Sequence, residues 1–196
     1  MKKNTSLWRQ QRHVPRGLIP PPIAPWLFDV ASLTQRLRQV CQGHFQVRVV
    51  SQQRVRPLRD ERVALDMRDH EHALVRMVYL LCDGQPWVFA RTVIPLRTLS
   101  GAQRRLARLG SKPLGEMLFA DRSMRRSEVE VARLVPGGKL FGLIATANSN
   151  AGTADLAQQP QPIWGRRSVF YLQDKPLLVS EMFLPAINDR DARLNQ

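Results

Sequence analysis

The sequence has few cysteines, few acidic residues and no long apolar run, and each shortage excludes a class of protein. Cys41 and Cys82 are the two cysteines among 196 residues. Two are too few for a disulfide framework, so we expect both to be reduced core residues of a cytoplasmic protein. No stretch approaches the roughly 20 apolar residues of a membrane-spanning helix. The first residues are basic but no apolar segment follows them, so a secretory signal is not expected.

Acidic side chains are outnumbered by basic ones, with 16 Asp and Glu against 30 Lys and Arg and a net charge of +14. Such a surface can attract nucleic acid, an anionic membrane or a small dianion. The sequence has no RNA-binding signature, zinc finger or basic zipper, so no specific nucleic-acid partner is expected. Steeply salt-dependent binding to nucleic acid would instead support a function in nucleic-acid binding. We expect the basic N-terminal arm to bind anionic surfaces only weakly.

Length and the 43% apolar content predict one folded domain. Prolines without hydrophobic periodicity predict a flexible basic arm over residues 1–24. We place the domain at 25–187 and a tail at 188–196. Residues 135–163 are rich in Gly, Ala, Asn and Gln, which predicts a polar insertion. Its segment Lys139–Ala147 is apolar enough to pack against some other surface, and Asn148–Gln161 is predicted to be a flexible loop.

Local patterns predict the shorter elements. Ser32 and Gln35 form a capping box at the start of a helix. Alternating apolar residues predict a half-exposed strand over His44–Val55 and another strand over 127–134. A short helix is expected to begin at Pro113, because proline favours the first turn.

One motif occurs twice and organises the rest of the sequence. Its copies are Val78–Pro95, VYLLCDGQPWVFARTVIP, and Ser168–Pro185, SVFYLQDKPLLVSEMFLP. Each copy has an apolar run, a polar turn and a second apolar run, the pattern of a β-hairpin. The turns are expected at Asp83-Gly84 and at Gln173-Asp174-Lys175. Strands that are apolar on both faces are normally covered on both faces.

The second strand of each hairpin carries one charged residue among apolar ones, and Arg91 and Glu181 occupy equivalent positions. A buried charge is costly unless a group of opposite sign meets it. One interpretation pairs Arg91 directly with Glu181 in the core. In the other, both face a common cavity, where the planar fork of Arg91 binds the anion of a small ligand and Glu181 meets its hydroxyl.

Three blocks of sequence resemble the chorismate pyruvate-lyase family: LLCDGQPWVFARTVIP, TLSGAQRRLARLGSKPLGEMLF and IWGRRSVFYLQDKPLLVSEMFLP. The resemblance runs from about Pro25 to Pro185, with the one interruption at 135–163. Members of this family eliminate pyruvate from chorismate to give 4-hydroxybenzoate for ubiquinone biosynthesis. The resemblance implies a carbon–oxygen lyase. It also implies an α+β fold, in which a single antiparallel sheet of about six strands carries a few helices as flaps over an internal ligand site. The consecutive hairpins and the lack of a βαβ rhythm predict the same sheet.

The resemblance also implies the residues of the site. Arg91 matches the arginine that holds the ring carboxylate, and Glu181 matches the glutamate that meets the ring hydroxyl. Leu114 falls where the family contacts the ligand through its backbone, and Leu33 falls where other members carry methionine. Glu181 either removes the ring proton or only orients the ring, because an intramolecular transfer to the enolpyruvyl group needs no base.

No metal or organic cofactor is expected, because formation of the aromatic ring drives the elimination. The run His70-Glu71-His72 predicts a solvated turn, since the sequence has no second cluster of metal ligands. We expect a monomer. The alternative function is a non-catalytic effector-binding domain like that of the HutC-type repressors, which share this fold class. Only roughly 30 residues precede the matching region, fewer than a DNA-binding domain needs.

Overall fold

A single antiparallel sheet of eight strands forms the centre of the computed structural model, which describes residues 7–150 and 162–187. The strands are β1 Arg9–Gln10, β2 Phe45–Val55, β3 Ala73–Cys82, β4 Gln85–Pro95, β5 Arg125–Arg126, β6 Glu130–Leu134, β7 Ile163–Leu172 and β8 Lys175–Phe183. Their order across the sheet is β1–β6–β7–β8–β4–β3–β2, and β5 pairs with β7 off this path. The α+β prediction is therefore confirmed. The predicted count of six was wrong because β1 and β5 have two residues each, too few to show alternation.

The two predicted hairpins are β3–β4 and β7–β8, and they lie side by side through the pairing of β4 with β8. Asp83 and Gly84 form the first turn with φ of 50° and 77°, and Gln173 and Asp174 form the second with φ of 49° and 62°. Two successive left-handed residues fit the right-handed twist of the strands that they join. The first strand of the domain, β2, pairs with β3 and completes that edge of the sheet.

Short helices cover both faces of the sheet. They are α1 Ala24–Phe28, α2 Leu33–Val40, α3 Arg59–Ala64, α4 Leu114–Ala120 and α5 Lys139–Asn150, with 3₁₀ turns at Gln11–His13, Arg16–Leu18, Leu96–Thr98, Gly101–Arg108 and Pro185–Ile187. Ser32 caps α2, and its hydroxyl accepts from the backbone N–H of Gln35, which is one of the two hydrogen bonds of the predicted capping box. We call the face under α1, α2 and α4 the cavity face. The opposite face packs against α3 and α5.

The N-terminal segment differs from the flexible arm predicted for residues 1–24. Within its described part, Trp8, Ile19 and Ile23 are buried against the domain. Arg9 pairs with Val131, so that β1 extends the sheet. Apolar side chains spaced between the basic ones anchor this segment, and the charge excess hid that spacing in the sequence.

The insertion contributes helix α5 to the opposite face of the sheet. Leu140, Phe141, Ile144 and Ala147 are buried there, which agrees with the packing predicted for Lys139–Ala147. The Tyr79 hydroxyl donates to the carbonyl oxygen of Ile144 at 3.3 Å, and burial raises the pKa of this phenol. The predicted flexible loop lies largely in 151–161, and the predicted tail at 188–196, both outside the described residues.

The two cysteines form a disulfide, so the prediction of reduced thiols was wrong. Cys41 directly follows α2 and Cys82 ends β3, and their Cα atoms are 5.7 Å apart, within the usual range for a disulfide. The sequence places them 41 residues apart and does not show that the helix and the strand end side by side. The bond ties the helix that carries Leu33 to the edge of the hairpin.

None of the helices in 7–150 and 162–187 is long and apolar enough to span a membrane.

Candidate functional site

Two rows of side chains cross the cavity face where the hairpins meet. The first row consists of Arg76, Thr92, Val179 and Ser168, on β3, β4, β8 and β7. The second row consists of Val78, Ala90, Glu181 and Arg166 on the same four strands. Directly opposed residues of an antiparallel pair project from the same face. The register of three strand pairs therefore brings two arginines and a glutamate onto one surface.

A cavity lies between these rows and the helices α2 and α4. Leu33 and Thr34 of α2 line it from above, together with Leu114 and Gly115 of α4. The volume open to the centres of water molecules is about 50 Å³, which leaves room for a few waters. Leu33 is 4% exposed, so α2 covers this part of the site. They occupy the place of the flaps that the sequence predicts.

Glu181 meets Arg166 inside this cavity. The guanidinium Nε of Arg166 donates to a carboxylate oxygen of Glu181 at 2.6 Å. Arg166 is almost completely buried, and it also donates to the carbonyl oxygens of Trp26 and Asp29. These bonds hold the arginine against α1. Arg166 in turn fixes the position of the Glu181 carboxylate, whose side chain remains 17% exposed toward the cavity.

Arg76 stands at the other end of the first row and has no carboxylate partner among the described residues. Its guanidinium makes two long contacts, 3.4 Å to the Gln52 side-chain oxygen and 3.5 Å to the carbonyl oxygen of Lys112. Burial lowers the pKa of this guanidinium from its ordinary value, but arginine stays charged in proteins. A buried cation with two weak neutral contacts can bind an anion in the cavity.

Arg91 neither pairs with Glu181 nor faces this cavity, contrary to the two interpretations of the sequence. Its Nε and one terminal nitrogen donate to the two carboxylate oxygens of Glu61 at 2.6 and 3.0 Å. Glu61 belongs to α3, on the opposite face of the sheet. The register explains the error: Ala90 is opposite Glu181 and Arg91 is opposite Ser180. Equivalent positions of the two hairpins therefore project to opposite faces.

Leu33 and Leu114, the other two predicted site residues, both line the cavity next to Glu181. Leu114 is the first residue of α4, and the first backbone N–H groups of a helix have no acceptor within it. Such an amide can donate to a bound anion. Three of the four predicted positions thus meet at one site, and Arg91 does not.

Three arginines of the cavity were missed in the sequence: Arg76, Arg126 and Arg166. Arg76 carries the same signal that drew attention to Arg91, a single charge within an apolar strand, ALVRMVYLLC. It lies before the repeated motif, whose two copies single out Arg91 and Glu181. Arg166 has no such signal, because it lies in the run Trp164-Gly165-Arg166-Arg167, where its neighbour is also charged. No group of three or more His, Cys, Asp or Glu side chains in the described chain could hold a metal ion.

Comparison with known proteins agrees with the resemblance seen in the sequence. The family model described as "Chorismate lyase" matches residues 2–193. A protein of Methylococcus capsulatus named probable chorismate pyruvate-lyase is 43% identical over 162 residues, covering 83% of this chain and 94% of the relative. A protein of the same name from Azoarcus sp. is 45% identical over 166 residues, covering 84% of this chain and 85% of the relative.

Solved structures with this fold include domains of transcriptional regulators. The effector domain of PhnF from Mycobacterium smegmatis aligns with a TM-score of 0.53 and 15% identity, covering 81% of this chain and 91% of that domain. The C-terminal domain of the histidine utilization repressor from Pseudomonas syringae aligns with a TM-score of 0.51 and 9% identity, covering 73% of this chain and 93% of that domain. At these identities the similarity concerns the fold alone.

Proposed function

Since this chain belongs to the chorismate lyase family, we propose that its cavity converts chorismate into 4-hydroxybenzoate and pyruvate. The observation that carries this proposal is the arrangement of Arg76 and Glu181 on one enclosed surface. Chorismate has a ring carboxylate and, para to it, a ring hydroxyl. Arg76 takes the carboxylate in place of the predicted Arg91, and Glu181 accepts from the hydroxyl. Leu114 supplies a backbone N–H to the carboxylate, and Leu33 closes the ring pocket.

The reaction breaks two bonds of the ring. The C–H bond at the hydroxyl-bearing carbon gives up its proton, and its electron pair completes the aromatic ring. The neighbouring C–O bond to the enolpyruvyl group breaks, and that group leaves with the ether oxygen and gains a proton to become pyruvate. Atoms and charge balance without an oxidant or a cofactor. The protein supplies orientation, charge stabilisation and exclusion of water.

Glu181 has two possible roles that a single variant separates. If its carboxylate takes the ring proton, Glu181→Gln loses most of its turnover, because general base catalysis contributes about 10²–10⁴-fold. If the proton passes directly to the enolpyruvyl group, the glutamine still binds the ring hydroxyl and turnover falls little. Single-turnover measurement of 4-hydroxybenzoate formation gives this rate without interference from product release.

The proposal is tested by incubating the purified protein with chorismate and measuring 4-hydroxybenzoate. We expect Arg76→Gln to raise the KM for chorismate by about 10- to 100-fold, because a hydrogen-bonded charge is lost. Arg76→Lys should recover little, since lysine has no planar fork. Arg54→Gln, at an exposed position of β2, is the matched control and should change nothing. Absence of 4-hydroxybenzoate with the unmodified protein would refute the proposed reaction.

We further propose a monomeric enzyme that releases its product slowly and supplies 4-hydroxybenzoate for ubiquinone biosynthesis in the cytoplasm. The helices α2 and α4 over the cavity support slow release, because product release is often the slow step where such covering elements have to move. A burst of product before the steady state is the expected signature, and a linear start would contradict it. In the alternative, an effector-binding domain, chorismate or another anion would bind without turnover.

A further inference from the structure

Arg126 is a third cavity arginine that the proposed reaction has not used. It lies in β5 and pairs with Phe170 of β7, so its side chain projects from the cavity face. Its Nε donates to the Ser168 hydroxyl at 3.1 Å, and one terminal nitrogen donates to the carbonyl oxygen of Val30 at 3.0 Å. Both acceptors are neutral. Across the described residues, no carboxylate forms an ion pair with Arg126.

The cavity therefore has more positive charge than its own residues neutralise. Arg76, Arg126 and Arg166 line it, and Glu181 is the one carboxylate of the lining. Two formal positive charges remain after Arg166 pairs with Glu181. Burial lowers the pKa of Arg126, while the nearby carboxylates of Glu181 and Asp29 oppose that change. Unneutralised charge is costly in an enclosed site. A ligand with two negative charges removes that cost, whereas a monoanion removes only half of it.

The positions of the two unpaired arginines fit the two ends of such a ligand. Arg76 begins the first row, and Ser168, which holds Arg126, ends it. Three strand spacings separate the ends, about 14 Å between Cα atoms. The residues between them, Thr92 and Val179, have short side chains that leave space above the sheet. Glu181 lies one row away, between the two cations in the order of the strands.

We propose that Arg126 binds the second carboxylate of the substrate, the one on the enolpyruvyl group that leaves as pyruvate. This inference rests on the proposed function and deepens it. Arg76 then holds the ring carboxylate, Glu181 the ring hydroxyl, and Arg126 the departing group. Ser168 and Val30 hold the guanidinium of Arg126 in place, which leaves a terminal nitrogen for the carboxylate.

The product provides the discriminating measurement, because 4-hydroxybenzoate keeps the ring carboxylate and lacks the second one. We expect Arg126→Gln to raise the KM for chorismate about 10- to 100-fold. The same variant should change the inhibition constant of 4-hydroxybenzoate less than about threefold. Arg76→Gln, by contrast, should weaken both. A merely structural role of Arg126 would weaken substrate and product together, and that result would overturn the inference.

Arg125→Gln is the matched control. Arg125 is the neighbouring residue of β5, but its side chain is 64% exposed and pairs with Asp174. We expect the KM of this variant to equal that of the unmodified protein. Arg126→Lys should recover part of the lost affinity for chorismate through its charge. If Arg126→Gln fails to fold, Ser168→Ala releases the Nε of Arg126 and should still raise the KM for chorismate selectively; an unchanged KM there would count against the inference.

The failure of this inference is distinguishable from the failure of the proposed function. A protein that forms no 4-hydroxybenzoate refutes the function, whatever Arg126 does. A protein that turns over chorismate, and whose Arg126→Gln variant keeps its KM, retains the function and removes Arg126 from substrate binding.

Discussion

Replacing Arg91 by methionine removes one half of a buried ion pair and leaves the carboxylate of Glu61 without its partner. The side chains are 6% and 3% exposed, and two hydrogen bonds join them. Removing one member of such a pair costs about 3–5 kcal/mol, because the other charge stays buried and uncompensated. With a urea slope of about 2 kcal/mol per molar, the unfolding midpoint should fall by roughly 2 M.

The paired substitution Arg91→Met with Glu61→Leu provides the second half of this test. Removing both charges leaves no uncompensated group, so most of the lost stability should return. The recovery should be incomplete by about 1 kcal/mol. Glu61 also accepts from the backbone N–H of Leu58 at the start of α3, and leucine cannot replace that bond. Arg38→Met is the control, since Arg38 and Glu116 form an exposed pair worth at most about 1 kcal/mol.

Urea unfolding followed by circular dichroism measures the stability, and the chorismate assay on the folded variant measures the KM. We expect Arg91→Met to lose stability and keep its KM. The opposite outcome, normal stability with a KM raised tenfold or more, would refute the structural role of Arg91. It would return this arginine to the ligand site that the sequence predicts.

Three further changes test the structure around the cavity. Cys41→Ala should lower the free energy of unfolding by about 4 kcal/mol, the chain-entropy value for a loop of this length; equal stability with and without reductant would show that the disulfide does not form. Ile144→Ala should cost about 2–5 kcal/mol but leave the KM unchanged, because α5 packs on the opposite face, and a raised KM would contradict this. Gly115→Ala places a Cβ 3.0 Å from the Thr34 hydroxyl oxygen, so it should push α4 from α2 and speed release of 4-hydroxybenzoate. Gly142→Ala, whose Cβ meets nothing within 4 Å, is its control; equal release rates in both variants would refute the reasoning.

Arg91 and Arg76 have the same local pattern in the sequence but lie on opposite faces of the sheet. Each lies alone within an apolar strand, and alternation along one strand tells which residues share a face with it. Alternation does not show which residues of a neighbouring strand lie on the same side of the sheet. The offset between β4 and β8 decides this, and it is set by packing between hairpins about 90 residues apart. A shift of one residue would have placed Arg91 beside Glu181.

By itself the sequence determined the elements whose causes are local. Both hairpins follow from apolar runs and turn residues, the start of α2 follows from Ser32, and the covering of both sheet faces follows from strands apolar on both sides. Contacts between distant segments were decided only by the tertiary structure. These include the pairing of Arg91 with Glu61, the disulfide between Cys41 and Cys82, and the gathering of three arginines around Glu181. Each depends on which faces and ends meet in space, and no local preference of the chain encodes that.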